Sequence, residues 1–337
     1  MELNGVSVAN VASVVREYEG VMRKHAIGEM VKALRIESPG VLASFGEDAA
    51  VIEHGEEVLL LAADGIWSRL MEADPYWAGY CAVLVNIHDI AAMGGRPLAM
   101  VDVFSISDPC IQEQVIAGMH DASVQFGVPI VGGHLHPDTP YSVIDVAILG
   151  TAPKDSVIYS HTAKEGDSVI VAVDLNGRVH PSCILNWDSV TMKSREEVRS
   201  QVRVLEGLGR DRLVTAGKDI SNPGVIGTLG MLLEVSGKGA SIALDRLPMP
   251  DLLAHHMTFE QWVRIYPGMG FVLTAPGQNV PEISRRFEEV GMTARMVGHV
   301  TGDRMLRVGL RDDSALVFDF DKNGIMRLFS DDGSCPK

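Results

Sequence analysis

Residues 77–93 constrain the fold more than any other stretch. The run is almost continuously apolar, long and periodic enough for a buried helix, and stopped by Gly94-Gly95 with Pro97 beyond. Inside it sit Asn86 and Asp89, three residues apart and therefore on one side of that helix. A buried carboxylate needs a cation or a hydrogen-bonding partner. The run thus demands both a covering layer and something to answer Asp89.

Strands supply the layer. Runs 49–53 and 57–63 flank the turn-prone His54-Gly55, 98–106 and 142–152 are apolar, and 128–131 leads into Gly132-Gly133. One or two helices are expected over 11–34 and another at 111–126. After a polar break at 153–166 the pattern predicts strands at 168–173, 240–244, 270–273 and 296–300. Helices are expected at 196–208, up to Val235 and at 281–290, with closing hairpins at 305–310 and 316–320. Asn323-Gly324 reads as a hairpin turn leading to Ile325-Met326. This alternation is that of an α/β (α+β) protein. At about 150 residues per domain, 337 residues divide into two, 1–152 and 153–337.

A formal charge of −15 argues against nucleic acid or an anionic membrane as partner. A polyanionic small molecule remains open if metal ions or helix N-termini screen it. Cys81, Cys110, Cys183 and Cys335 form no C-x-x-C pair, and no stretch reaches the ~18 apolar residues of a membrane span, so a cytoplasmic protein is expected. Neither a P-loop nor a dinucleotide fingerprint is present.

The candidate site residues cluster in Gly46-Glu47-Asp48-Ala49-Ala50, Ala63-Asp64-Gly65, the 86–97 block and Gly132-Gly133-His134. Singly, each could be a turn or a helix edge. Together they place hard oxygen donors on several loops with no thiolate, the donor set that selects Mg²⁺.

These blocks resemble the superfamily of aminoimidazole ribonucleotide synthase, thiamine-monophosphate kinase, selenophosphate synthetase and a hydrogenase maturation factor. Residues 46–51 resemble its G-D-D-A-A-V loop, Asp64 its next metal Asp, and 86–97 its N-x-x-D-[IL]-A-A-M-G-[AG]-x-P helix. Residues 219–225 and 234–242 resemble its second-half segments, and 297–300 its closing I-G-x-V. The 73–80 stretch ahead of the Asn86 helix, with Met93-Gly94-Gly95-Arg96-Pro97 after it, is most similar to an uncharacterised synthase-related branch of methanogenesis-marker type. The resemblance implies two-domain synthase-like architecture: an N-terminal ATP/Mg²⁺-binding and dimerisation domain whose mixed sheet forms a dimer barrel, and a C-terminal α/β domain closing the cleft. It implies ATP and Mg²⁺ as cofactors, a homodimer, and phosphoryl transfer to an oxygen of a small molecule or carboxamide.

On that resemblance Asp48, Asp89 and His134 are the catalytic candidates, and Glu47, Asp48, Asp64, Asp89 and Asp219 the metal candidates. Asn86, Gly94, Gly95, Arg96, Gly132, Gly133, Asp219, Ser221, Asn222 and Gly224 are the nucleotide-binding candidates, with Lys24 a further basic candidate. The chain departs from the pattern in carrying Glu47 for the first Asp, Asn222 for an Asp and His134 for the Asp of kinase-like members. These departures keep open a non-catalytic nucleotide-binding or assembly protein. A hydrolase using His134 and His136 lacks a third histidine at metal-motif spacing. Cys335 reads as part of a loose tail. The N-terminal strands carry more apolar surface than one helix layer covers, which predicts a twofold dimer over a monomer.

Overall fold

The computed structural model describes residues 3, 5–322 and 324–328. The first half comprises α1 (Val8–Arg16), α2 (Glu19–Met22), α3 (Ile27–Leu34), β1 (Val41–Ala43), β2 (Ala50–His54), β3 (Glu57–Gly65), α4 (Ser68–Ala73), α5 (Pro75–Ala92), β4 (Arg96–Ser105), α6 (Pro109–Phe126), β5 (Ile130–His136) and β6 (Val143–Pro153). Its six strands make an open sheet ordered β1-β2-β3-β6-β4-β5, not a closed barrel within the chain. Only the β4–β5 pair is parallel, joined through α6.

The second half contains β7 (Ser168–Val173), β8 (Arg178–His180), β9 (Cys183–Asp188), α7 (Arg195–Arg210), β10 (Ala216–Asp219), α8 (Gly224–Ser236), β11 (Gly239–Ala243), α9 (Phe259–Trp262), β12 (Gly270–Ala275), α10 (Val280–Glu289), β13 (Thr293–Thr301), β14 (Met305–Leu310) and β15 (Asp313–Asp319). Seven of its strands form a sheet ordered β10-β12-β7-β13-β11-β14-β15, and β8 pairs with β9 apart from it. The fold is thus mixed α/β with two main sheets. No described helix is long and apolar enough to cross a membrane.

Helix α5 lies between the two sheets. The Asp74 carboxylate caps it by accepting from the Trp77 N–H at 2.9 Å, and Pro75 opens its first turn, where no N–H is needed. Gly94, at φ +70°, ends it, and the Gly95 N–H returns to the Ile90 carbonyl at 3.0 Å. One side packs on β3, β4 and β6 with α6 alongside, the other on α7 and β10. Every residue from Trp77 to Ala92 is buried except Val85, so no polar face remains for water. The α5–α6 crossing is close because of two glycines. A Cβ at Gly79 would stand 2.1 Å from the Val115 carbonyl oxygen, and one at Gly118 would stand 2.0 Å from that of Tyr76.

Residues 8–34 form three short helices, with a 3₁₀ turn at Arg23–Ala26, because the segment bends to fit the second half. Gly20 lies against the Asn222 backbone and Gly28 against the Arg327 carbonyl, with no room for a Cβ at either. The expected return strand at Ile325-Met326 does not form. β15 pairs with β14, while Ile325 and Met326 leave the sheet; Asn323 lies outside the described residues, as does Cys335. The cause is Glu234, buried on α8, whose carboxylate accepts the backbone N–H groups of Ile325, Met326 and Arg327, each at 2.8 Å. Three charge-assisted bonds outweigh what a two-residue strand could gain.

On the face of the first sheet away from α5, Leu61, Leu98, Val101, Val103 and Val131 are exposed, Val131 to 65%.

Two outcomes follow for stability. Gly79→Ala overpacks the α5–α6 crossing and lowers the unfolding free energy by about 1–3 kcal/mol in urea denaturation, with no lost contact to blame. His88 on α5 is buried edge-on against Phe271, and burial depresses its pKa to about 3. It stays neutral in the fold while the unfolded chain binds a proton below about pH 6.5. Its contribution is therefore complete above that pH and is lost on acidification towards pH 3, by up to about 1.4 kcal/mol per pH unit. His88→Leu should flatten the acid limb of a stability–pH curve by one proton, and an unchanged slope would refute the assignment.

Candidate functional site: a carboxylate cleft around Lys218

Three elements deliver three carboxylates to one point. Asp48 precedes β2, Asp89 lies in the last turn of α5, and Asp219 ends β10, where it pairs with Phe271 of β12. One oxygen from each lies within 4.8 Å of the others. At their centre is Lys218, 4% exposed, whose ammonium forms an ion pair with Asp48. The Asp219 N–H also donates to Asp48 Oδ2 at 3.3 Å.

The electrostatics follow from burial. Loss of hydration raises the pKa of Asp48, opposed by Lys218. It raises Asp89 well above the carboxylate range, with Asp64, Asp219 and Asp48 adding repulsion. It pushes Asp219 up to about 8, Asp48 again contributing. Burial works against the Lys218 ammonium, but the surrounding carboxylates reverse the sign and hold it above its ordinary value. Like charges this close are tolerated only with a positive charge among them.

Asp64 sits on β3 at the cleft mouth. Desolvation raises its pKa, Lys24 and Lys218 oppose the rise, and Asp145 on β6 adds to it. The residue is exposed yet crowded by protein atoms, as in an open cleft. The cleft, about 1180 Å³ with its mouth, takes in Asp48, Asp64, Asp89, Lys218 and Asp219 together with Ser221. Asn222 lines the adjoining recess and donates to the Tyr266 hydroxyl at 3.2 Å.

Glu47 lines the same cleft, and the remaining candidates lie elsewhere. Both Glu47 oxygens are engaged by the second half, one accepting from the Ser160 N–H at 2.6 Å and the other facing His161 Nδ1 at 2.5 Å. Asn86 is fully buried and its Nδ2 donates to the Ala82 carbonyl of its own helix, leaving Oδ1 without a partner. Gly94 and Gly95 close α5 against Ser156 and Leu60, and Arg96 lines a separate cavity beside Arg199 and Arg203. Gly132, Gly133 and His134 are exposed on edge strand β5, three strand spacings or about 14 Å from β3. His134 neighbours His136, with ring centroids 4.5 Å apart. Gly224 serves packing: at φ +72°, its Cβ would meet the Val263 carbonyl at 2.3 Å.

Sequence reasoning missed Lys218. The only signal was a lysine beside Asp219 at the head of the Gly-rich segment 217–230, whose first residues belong to a buried strand.

Known proteins share this organisation. The family described as AIR synthase related protein, N-terminal domain, matches residues 46–152, and its C-terminal-domain counterpart matches residues 163–311. An uncharacterized protein of Methanocaldococcus jannaschii is 45% identical over 325 residues, 95% of this chain and 99% of its own length. Thiamine-monophosphate kinase of Pyrococcus abyssi is 29% identical over 262 residues, 74% and 82% of the two chains. The structure of T. maritima PurL complexed with ADP superposes with a TM-score of 0.76 at 19% identity, over 95% of this chain and 52% of that one. This chain therefore spans about half of that protein, and the likeness is one of fold. With both family descriptions matched in order along the sequence, the chain belongs to the AIR synthase related proteins.

Proposed function

We propose that the protein is an ATP- and Mg²⁺-dependent phosphotransferase or synthase that activates an oxygen of a small molecule or carboxamide group. The observation that carries this reading is the convergence of Asp48, Asp89 and Asp219 around Lys218. The donor set is all oxygen, and ligands facing each other across an octahedral Mg²⁺ stand about 4.2 Å apart, close to the observed spread. The relatives support it: one bears the name thiamine-monophosphate kinase, and the PurL structure holds ADP.

Asp48, Asp89 and Asp219 would hold the ion, with Asp64 beside them. Bound there, Mg²⁺ would supply charge neutralisation for the triphosphate. Lys218 brings a fixed positive charge to the same point, where a phosphate oxygen would be stabilised. The acceptor oxygen forms a bond to the γ-phosphorus as the bond to the β–γ bridging oxygen breaks. ADP leaves with that electron pair, and the acceptor proton passes to Asp64 at the mouth. Glu47, held by Ser160 and His161, positions the Asp48 turn against the second half.

The functional division falls at 152/153, with the second half closing the cleft, and the protein works in the cytoplasm as a homodimer. The apolar outer face of the first sheet is the dimer surface, and Gly132 and His134 of β5 lie on it.

Asp89→Asn should weaken Mg²⁺-dependent ATP binding at least 100-fold by calorimetry while preserving the circular dichroism spectrum; unchanged binding contradicts the site. Single-turnover ADP release, with candidate acceptors, then separates an enzyme from a protein that only binds nucleotide. Sedimentation at micromolar concentration should give a species of twice the 36.4 kDa chain mass, and a dominant single-chain species rules the dimer out.

A further inference from the structure

The carboxylate cleft runs on into a second recess of about 1010 Å³ with its open mouth, and the two share Lys24, Asp64 and Ser221 as wall residues. This recess has the opposite electrical character. Arg23 and Lys24 enter it from the 3₁₀ turn Arg23–Ala26, and Trp67 and Tyr266 give it flat apolar walls. Nearby, Arg69 is answered by Glu19 at 3.3 Å. Arg23 lies over the Trp67 ring, 5.0 Å from its centroid, and among the described residues it has no carboxylate partner. In a chain of net charge −15, an exposed guanidinium with no carboxylate partner on the wall of a cleft is open to an incoming anion.

The origin of these side chains adds a second argument. Residues 8–34 precede residue 46, where the family match begins. The segment is nonetheless fitted closely to the cleft: Gly20 lies against Asn222 with no room for a Cβ, and Gly28 likewise against Arg327. The cations are thus held in place by a segment packed closely against the second half.

We infer that this recess binds the acceptor, and that the acceptor is a small anion. Its carboxylate or phosphate group meets Arg23 and Lys24, its apolar or flat part lies against Trp67 and Tyr266, and its reacting oxygen faces Asp64. The inference rests on the phosphoryl-transfer reading of the adjoining carboxylates, for which it names the acceptor class.

The test is titration of the full-length protein with inorganic phosphate and, separately, with acetate, followed by tryptophan fluorescence, with Trp67→Phe identifying the local signal. At least one anion should bind, and Arg23→Ala should weaken that binding tenfold or more, while Arg23→Lys weakens it less. Tighter phosphate binding marks a phosphate-bearing acceptor, and tighter acetate binding a carboxylate-bearing one. Lys24→Met carries the same test should Arg23→Ala fail to fold. Anion binding that is absent, or indifferent to both positions, overturns the inference. Mg²⁺-ATP binding by the unaltered protein is measured alongside. If Mg²⁺-ATP binds and neither anion does, the acceptor assignment falls alone. If Mg²⁺-ATP does not bind, the phosphoryl-transfer reading falls, while Arg23-dependent anion binding still upholds the recess.

Discussion

The ammonium of Lys218, buried among Asp48, Asp89 and Asp219, is the contact on which the arrangement of the two halves depends. It comes from the edge strand of the second sheet, whereas Asp48 and Asp89 belong to the first half. Removing the ammonium would leave the carboxylates buried without a counter-charge, a cost of several kcal/mol. The same contact leaves one positive charge facing three carboxylates, an imbalance that a divalent cation would correct. Cohesion between the halves and readiness for metal therefore have one origin.

Around that point the packing is shared. α5 is covered by the first sheet on one side and by α7 and β10 on the other, so Asp89 cannot shift without disturbing both layers. Glu47 reaches to Ser160 and His161, and Glu234 ties the 325–327 backbone near α3. Each uses a buried or half-buried carboxylate to fix chain segments far apart in sequence. The cleft floor is consequently rigid and acidic, while its outer wall at Arg23 and Lys24 is basic.

Much of the fold was legible because apolar periodicity is a local signal. The strands around His54-Gly55, the long helix ending at Gly94-Gly95 and the 168–173 strand all lie where pattern and breakers place them. Elements that depend on distant partners were not. β10 reads as a glycine-rich connection because its burial comes from β12 and α5. Residues 325–326 look like a strand because Glu234 is some ninety positions away in sequence. For the site, hard-donor logic selected Asp48 and Asp89 among others, the family resemblance added Asp219, and the structure brings those three together. Motif adjacency misleads for Gly94, Gly95 and Arg96: residues that follow Asp89 along the chain leave the cleft as soon as α5 ends.

The account stands or falls on whether those three carboxylates hold metal beside nucleotide. Diffraction from crystals grown with Mn²⁺ and a non-hydrolysable ATP analogue, with anomalous scattering to locate the ions, tests this directly. The account predicts a peak at coordination distance from Asp48, Asp89 and Asp219 oxygens, with the analogue's phosphates on its open side and Lys218 drawn away from Asp48. Ordered nucleotide with no peak at these carboxylates, or with metal held by other residues, would contradict it.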